Sequence, residues 1–284
     1  MGWLLFLSSS LSLLRCLLNE SVASLSPASA AIKLAVMKRS FSAEEPELMD
    51  QPQPVTRELE IDLDNLRRIN RYFGSHSLLR HFLQRWLEPG RTFRVLDLCT
   101  ASGDLPRMMI DWARPRGIAL KIDAVEMNPS IVEIARRESA THPEINFIRA
   151  DALHFTESLT YDLVHCSLAL HHFSEENAVR LLRRMRDLSH DKVLVSDLER
   201  NALTRWSVWF LTACIFREPM TKHDGRLSAR RAFSFREFAQ LAEAADWENF
   251  EHRRFLPARQ AMWMNVREAV PQVEITSPEL DFAT

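Results

Sequence analysis

The chain lacks the features that mark several protein classes. Its four cysteines are widely scattered and form no Cys-x-x-Cys pair, which argues against a zinc site or a disulfide framework. Lysine and arginine total 36 against 38 aspartates and glutamates, so the chain has no basic excess for phosphate binding. The composition therefore gives no electrostatic reason to expect a nucleic-acid partner.

A long uninterrupted apolar run is also missing. The apolar, serine-rich residues 3–18 are too short and too interrupted to predict a membrane span. They fit a secretory signal, an organellar transit peptide or a mis-assigned start with translation from an internal methionine. We treat residues 1–50 as a poorly ordered extension or a cleaved targeting segment. Cys99 and Cys166, at predicted strand ends, suggest reduced thiols and a cytoplasmic protein as the first expectation.

The rest of the chain alternates apolar strands with helical patterns. Strands are predicted at residues 94–99, 121–127, 146–151, 161–168 and 192–198, with helices between them. Residues 250–256 and 260–266 are predicted to form a closing strand pair. Strands that alternate with helices imply a parallel sheet covered on both faces. We predict an α/β, Rossmann-like fold with a seven-stranded, mostly parallel sheet.

Three additions surround this predicted sheet. Two amphipathic helices precede the first strand within a domain expected to span residues 51–267. Residues 201–231 interrupt the alternation, and we expect them to form an inserted helical lid. The polar residues 268–284 are expected to be a frayed tail.

The most informative stretch is VLDLCTASGD, at residues 95–104. It is a short apolar run followed by Asp97, small residues and Gly103, and Glu126 ends a second apolar run 23 positions after Gly103. A buried strand, a tight turn of small residues and a second strand ending in an acid form a nucleotide-binding βαβ unit. This spacing alone does not name the nucleotide.

The order of elements with these residues resembles the class I S-adenosylmethionine-dependent methyltransferases over residues 62–267. Within them, the chain is most similar to the small-molecule enzymes of the ubiquinone and menaquinone type. It especially resembles a bacterial subgroup linked to polyketide and quinone-like products. The strings that carry this likeness are SDLER at residues 196–200 and KHDGRLSARRAF at residues 222–233.

The resemblance implies that the turn after the first strand approaches the methionine part of S-adenosylmethionine. Asp97 would face the ammonium group directly or through water, and Cys99, Thr100, Ala101 and Gly103 would line the cofactor. Cys99 and Ala101 stand where family members have glycine, which makes the turn less permissive. The alternative for this motif is a buried strand-end turn that binds no ligand.

Two further motifs are implied to hold the adenosine part of the cofactor. Glu126 would accept hydrogen bonds from both ribose hydroxyls, and Met127 would cover one adenine face. Asp151 would accept from the exocyclic amine, with Ala152 and Leu153 beside the ring. Packing at the core edge is the alternative for Met127, and an N-cap or loop role is the alternative for Asp151.

The fourth motif is HCSLALHHF, at the end of the fourth predicted strand. In the family this strand end lies beside the transferred methyl group, so Cys166 and Ser167 would flank the cofactor. His171, His172 and, in the insertion, His223 are candidate general bases because histidine titrates near neutral pH. Packing and loop orientation are the alternative for the histidine pair. We expect no metal, because no third ligand has a helpful spacing to the pair.

The resemblance therefore implies methyl transfer from S-adenosylmethionine to a small aromatic, polyketide-like or quinone-like acceptor, with oxygen favoured over carbon. A non-catalytic cofactor-binding module and a nicotinamide-dependent oxidoreductase are the alternatives. The turn lacks G-x-G-x-x-G and no Tyr-x-x-x-Lys pair occurs, which argues against the oxidoreductase. Cys-Ser-Leu replaces the Asn/Asp-Pro-Pro-aromatic string of nucleic-acid and release-factor amino-methyltransferases. The expected partner is a small molecule. There is no firm sequence evidence for membrane binding, and the oligomeric state is left open.

Overall fold

A mixed β-sheet lies at the centre of the protein. The computed structural model describes residues 38–157 and 160–266, and within them the sheet has seven strands in the order β3-β2-β1-β4-β5-β7-β6. The strands are β1 Thr92–Leu98, β2 Ala119–Glu126, β3 Ile145–Arg149, β4 Tyr161–Ser167, β5 Ser189–Leu198, β6 Glu251–Phe255 and β7 Arg259–Asn265. Strands β1 to β5 pair in parallel, and β7 is antiparallel to both β5 and β6. The predicted α/β fold is confirmed.

Helices cover both faces of this sheet. They are α1 Arg57–Tyr72, α2 Ser75–Trp86, α3 Asp104–Ala113, α4 Pro129–Glu138, α5 Glu175–Leu188, α6 Ala202–Cys214, α7 Pro219–Arg231 and α8 Phe235–Ala244. One buried apolar cluster joins the sheet to α5 and α8, and a second joins it to α2 and α3. Strands buried on both faces need continuous apolar runs, and β4 is buried along almost its whole length. No helix in the described part of the chain has the length and apolarity needed to cross a bilayer.

Local sequence signals set most helix ends. Asn128 and Ser174 each accept a hydrogen bond from a backbone amide at the start of α4 and α5, as their positions predict. Ser234 and Glu237 form a capping box at the start of α8. Helix α3 ends at Ala113 and continues as a 3₁₀ turn, because a proline occupies the second position of that turn.

The compact unit begins at Arg39, earlier than the boundary at residue 51 that the sequence led us to expect. We call residues 39–53 the strap. Asp224 on α7 accepts hydrogen bonds from the backbone amides of Leu48 and Met49 at 2.8 and 3.0 Å. Arg231 donates to a strap carbonyl at 2.9 Å. Part of the polar string on α7 therefore anchors the strap, while residues 1–37 and the predicted tail lie outside the described residues.

Candidate active site

The turn after β1 has an unusual backbone. Cys99, Ala101 and Gly103 adopt positive φ angles of 58°, 48° and 73°. This conformation costs a residue other than glycine about 1–2 kcal/mol. A β-carbon at Gly103 would lie 2.6 Å from the Phe147 ring, so only glycine fits there. The two positions at which this chain departs from the family's glycines therefore do adopt a glycine-like conformation.

Glu126 ties this turn to the end of β2. Its Oε2 accepts from the Ala101 amide at 3.1 Å, and its Oε1 accepts from the Asn128 amide at 2.9 Å. Burial raises the pKa of Glu126, with a smaller contribution from Asp50, against the lowering effect of backbone hydrogen bonds. A carboxylate held in this way still has free lone pairs for a ligand at the edge of the sheet.

Asp97 has a protein partner that the sequence did not predict. Its Oδ1 is 2.6 Å from Nδ1 of His165, and both side chains are buried. The two residues are neighbours across the β1–β4 pair. Thr100 Oγ1 and His165 Nε2 are buried and have no hydrogen-bond partner among residues 38–157 and 160–266. Buried polar atoms are normally satisfied, so these two atoms have hydrogen-bonding capacity left for a polar ligand.

The predicted adenine contacts lie at the open edge of the sheet. Met127 is 60% exposed, whereas Ala152 is buried. Asp151 accepts from the amide of Leu153 at 2.9 Å and lies 2.7 Å from Nδ1 of His154. These contacts are those of a residue that stabilises its own loop, which was the alternative role for Asp151. Adenine recognition by these residues stays a prediction.

The predicted methyl-side residues cluster at the ends of β1 and β4. The neighbouring Cys166 thiol, together with burial, raises the pKa of Cys99 well above its usual value. The Cys99 thiol therefore stays protonated near neutral pH. Ser196 on β5 donates to Ser167 Oγ at 2.9 Å. The structure brings these residues together next to the β1 turn.

Two histidines and a glutamate converge after β4. The 3₁₀ turn Leu170–His172 places Nε2 of His171 and Nε2 of His172 each 3.7 Å from a carboxylate oxygen of Glu47 in the strap. His171 Nδ1 lies 2.7 Å from Asp197, and His172 Nδ1 lies 2.7 Å from Asp50. We call Glu47, His171 and His172 the histidine cluster.

Opposite charges dominate the histidine cluster. Burial alone would raise the pKa of Glu47, but His172 and His171 outweigh it and lower the value to about 2. Burial alone would lower the pKa of His172, but Glu47 and Asp50 raise it to about 10. The pKa of His171 is also raised, by Asp197 against the effect of burial. A histidine with such a pKa keeps its proton at neutral pH, so this geometry does not support His172 as a general base.

Sequence reasoning missed Glu47 and Asp50, and the role proposed for His223 stays a prediction. Asp50 is separated from His172 by 122 positions, and both acids lie in the segment that was set aside. The apolar pair Leu48 and Met49 within an acidic linker could have indicated that this segment packs on the domain, since Met49 is buried. His223 is not in the histidine cluster, and its Nδ1 lies 2.8 Å from Asp224.

The predicted lid consists of α6 and α7. Helix α6 exposes Trp206, Trp209 and Phe210 by 42% or more. The rings of Trp206 and Phe210 stack at 5.6 Å. These aromatic side chains lie largely at the surface of the insertion. A cavity of about 240 Å³ lies instead beside the strap, with Phe41, Asp50 and His172 in its lining.

Known proteins share this domain. Residues 95–192 match a family model described as a methyltransferase domain. A 2-phytyl-1,4-naphtoquinone methyltransferase of Thermosynechococcus vestitus is 32% identical over 81 residues, which are 28% of this chain and 35% of that protein. The chain thus aligns with about a third of the length of this curated relative.

Several solved structures that share this fold are structures of methyltransferases. The plantazolicin methyltransferase BamL, solved with a triazolic desmethylPZN analog and SAH, aligns with a TM-score of 0.54 at 15% identity over 74% of this chain and 88% of that chain. Human N-acetylserotonin methyltransferase, solved with SAM, aligns with a TM-score of 0.53 at 15% identity over 71% of this chain and 53% of that chain. At these identities the alignments show the fold alone. Residues 95–192 thus match a methyltransferase domain, and the fold agrees with the resemblance to class I S-adenosylmethionine-dependent methyltransferases.

Proposed function

We propose that the protein binds S-adenosylmethionine at the carboxyl ends of β1 and β2 and transfers its methyl group to a small-molecule acceptor. The observation that carries this proposal is the β1 turn held against the Glu126 carboxylate, with Ala101 N to Glu126 Oε2 at 3.1 Å. A ligand in parallel α/β sheets binds at this edge, where strand order reverses. In this sheet β1 lies between β2 and β4, so its carboxyl end is such a point.

The residues at this edge fit the parts of the cofactor. Glu126 would accept from the ribose hydroxyls with the lone pairs that its backbone partners leave free. Thr100 Oγ1, buried without a partner among the described residues, would bond to the amino-acid part of the cofactor. Gly103 keeps the turn close to Phe147 because no β-carbon fills the gap.

The cofactor supplies an activated methyl group, so the task of the protein is alignment and exclusion of water. Holding an acceptor in line with the methyl carbon can supply about 7–11 kcal/mol of the barrier. The strap contributes to water exclusion, because the carbonyl of Met49 accepts from Asn128 at 3.0 Å and Asp50 contacts His172 at 2.7 Å. The same segment thus borders both the cofactor side and the histidine side of the site.

The acceptor is proposed to be small, flat and partly apolar. The cavity of about 240 Å³ beside His172 includes Phe41 and Phe173 in its lining, and it is smaller than the usual range for drug-sized ligands. The curated relative is named for a naphthoquinone, and one structural neighbour is named for N-acetylserotonin. We favour an oxygen acceptor over carbon because the charged histidine cluster suits a hydroxyl group better than an unactivated carbon.

Calorimetry with S-adenosylhomocysteine tests this proposal. Glu126→Ala should weaken binding about tenfold to a hundredfold, since a hydrogen bond to a charged group contributes about 1.5–3 kcal/mol. Glu133→Ala is the matched control, because Glu133 is an exposed acid on α4. An unchanged dissociation constant in Glu126→Ala would count against the assignment. Binding of NAD in place of S-adenosylhomocysteine would overturn the proposed cofactor.

Transfer itself needs a separate assay. Cofactor labelled in its methyl group, incubated with a panel of phenols, naphthols and hydroxyquinones, should yield labelled ethers by mass spectrometry. Products labelled on ring carbon would move the acceptor from oxygen to carbon. Cofactor binding without labelled product from the panel or from cell metabolites would favour the non-catalytic binding module.

A further inference from the structure

The histidine cluster has the donor atoms and the spacing of a metal site. The ligand atoms of Glu47, His171 and His172 all lie within 4.8 Å of one another, and each Nε2 is 3.7 Å from the carboxylate. Bonds of about 2.0–2.1 Å in tetrahedral geometry put ligand atoms about 3.3 Å apart. We propose that Glu47, His171 and His172 bind one divalent first-row transition metal ion, with Zn²⁺ as the best match.

The surroundings of the cluster hold the imidazoles in the orientation that a metal requires. Each Nδ1 is 2.7 Å from a carboxylate, Asp197 for His171 and Asp50 for His172, so each Nε2 is directed toward Glu47. Histidines that bind metals use their second nitrogen in this way, and the carboxylate fixes the tautomer and the ring angle. Glu47 is itself positioned, because Ser228 donates to its Oε1 at 2.6 Å.

Burial favours a cation at this place. Glu47 is 3% exposed and His171 is 2% exposed. A buried carboxylate is stable only with a positively charged or hydrogen-bonding partner. A divalent ion bound by the three side chains would supply that charge in place of the imidazole protons of His171 and His172, and binding would release those protons.

The donor set indicates the kind of ion and its use. Two imidazoles and one carboxylate suit Zn²⁺ and related first-row ions and leave a coordination position open, as in catalytic zinc sites. The open position would take water or the hydroxyl oxygen of the acceptor, and a bound ion makes such a hydroxyl more acidic. This use rests on the proposed function, whereas metal binding does not. The sequence analysis predicted no metal because the third ligand comes from the strap, far from the histidine pair in sequence.

Metal binding by the full chain tests the inference. Chelator-treated protein is titrated with Zn²⁺ by calorimetry and with Co²⁺ by visible absorption, and metal content is measured by mass spectrometry. We expect one equivalent per chain, with Co²⁺ bands typical of four- or five-fold coordination. His223→Gln, which alters a histidine outside the cluster, should bind like the wild type. Glu47→Gln and His172→Gln should lose the stoichiometric site.

Asp50→Asn provides a milder variant should the buried substitutions prevent folding. Asp50 is not a proposed ligand, and loss of such a supporting carboxylate weakens metal binding about 10–100-fold. Wild-type protein that folds but binds neither ion stoichiometrically would overturn the inference. Equal binding by the wild type, Glu47→Gln and His172→Gln would also overturn it. S-adenosylhomocysteine binding, measured on the same samples, separates the two proposals. Protein that binds the cofactor but no metal refutes this inference alone. Protein that binds metal but no cofactor refutes the proposed function alone.

Discussion

Replacing Gly103 with alanine should reveal how tightly the turn after β1 is packed. At φ of 73°, alanine pays about 1–2 kcal/mol for the left-handed conformation. Its β-carbon would lie 2.6 Å from Phe147, and overpacking of this kind costs about 1–3 kcal/mol. The lower entropy of the unfolded chain returns about 0.4–1 kcal/mol. The free energy of unfolding should therefore fall by about 1–4.5 kcal/mol.

Two other glycines separate these contributions. Gly90 also has a positive φ, 84°, but nothing lies within 4 Å of its β-position, so Gly90→Ala should lose only about 0–1.5 kcal/mol. Gly225 lies inside α7 and meets Thr212 at an ordinary 3.4 Å, so Gly225→Ala should gain about 0.5–1 kcal/mol. The difference between the Gly103 and Gly90 variants measures the contact with Phe147.

Urea unfolding followed by circular dichroism gives the required free energies, since the midpoint shifts while the slope stays constant. The double variant Gly103→Ala/Phe147→Leu should recover part of the loss, because the smaller side chain relieves the overlap and the two sites are in contact. If Gly103→Ala is no more destabilising than Gly90→Ala, the close approach of Phe147 does not constrain the turn and the argument fails.

Two further predictions concern the contacts of α7 with α1 and with the strap. Burial and nearby carboxylates raise the pKa of Asp62 to about 7, against the lowering effect of the Thr221 hydrogen bond. Protonated Asp62 therefore stabilises the folded state fully below about pH 4, and this stabilisation is lost as pH rises through 7. The stability of Asp62→Asn relative to wild type should therefore rise by a few kcal/mol between pH 4 and 8 in urea titrations, and a constant gap would contradict this. Asp224→Ala removes the acceptor of two strap amides, so protease cleavage in the strap should accelerate at least tenfold. The exposed Asp111→Ala is the control, and equal cleavage rates in both variants would show that Asp224 does not hold the strap.

The fold was predictable from local sequence patterns. The buried runs that became β1 and β4, and the cap residues Asn128 and Ser174, depend on neighbours a few positions away. Acids at strand ends were also predictable, because parallel strands present their carboxyl ends at one edge of the sheet. Glu126 therefore lies beside the β1 turn, where the motif led us to expect it.

Pairings across the sheet and across the strap could not be predicted in the same way. Asp97 contacts His165 because β4 lies next to β1, and only the strand order and register establish that neighbour. Glu47 and Asp50 reach the histidines through the packing of the strap on α7. No periodicity within the strap indicates that contact, since its bonds to Asp224 and Ser228 are long-range.

The strap links the two halves of the candidate site. Its short 3₁₀ turn, Leu48–Asp50, lies between Asn128 at the start of α4 and His172 after β4. Asp50 contributes to the raised pKa of Glu126 on one side and to the raised pKa of His172 on the other. The electrostatics of the cofactor edge and of the histidine cluster therefore depend on the same carboxylate. Any displacement of this turn would change both at once, which makes the strap part of the candidate site and not an appendage to the domain.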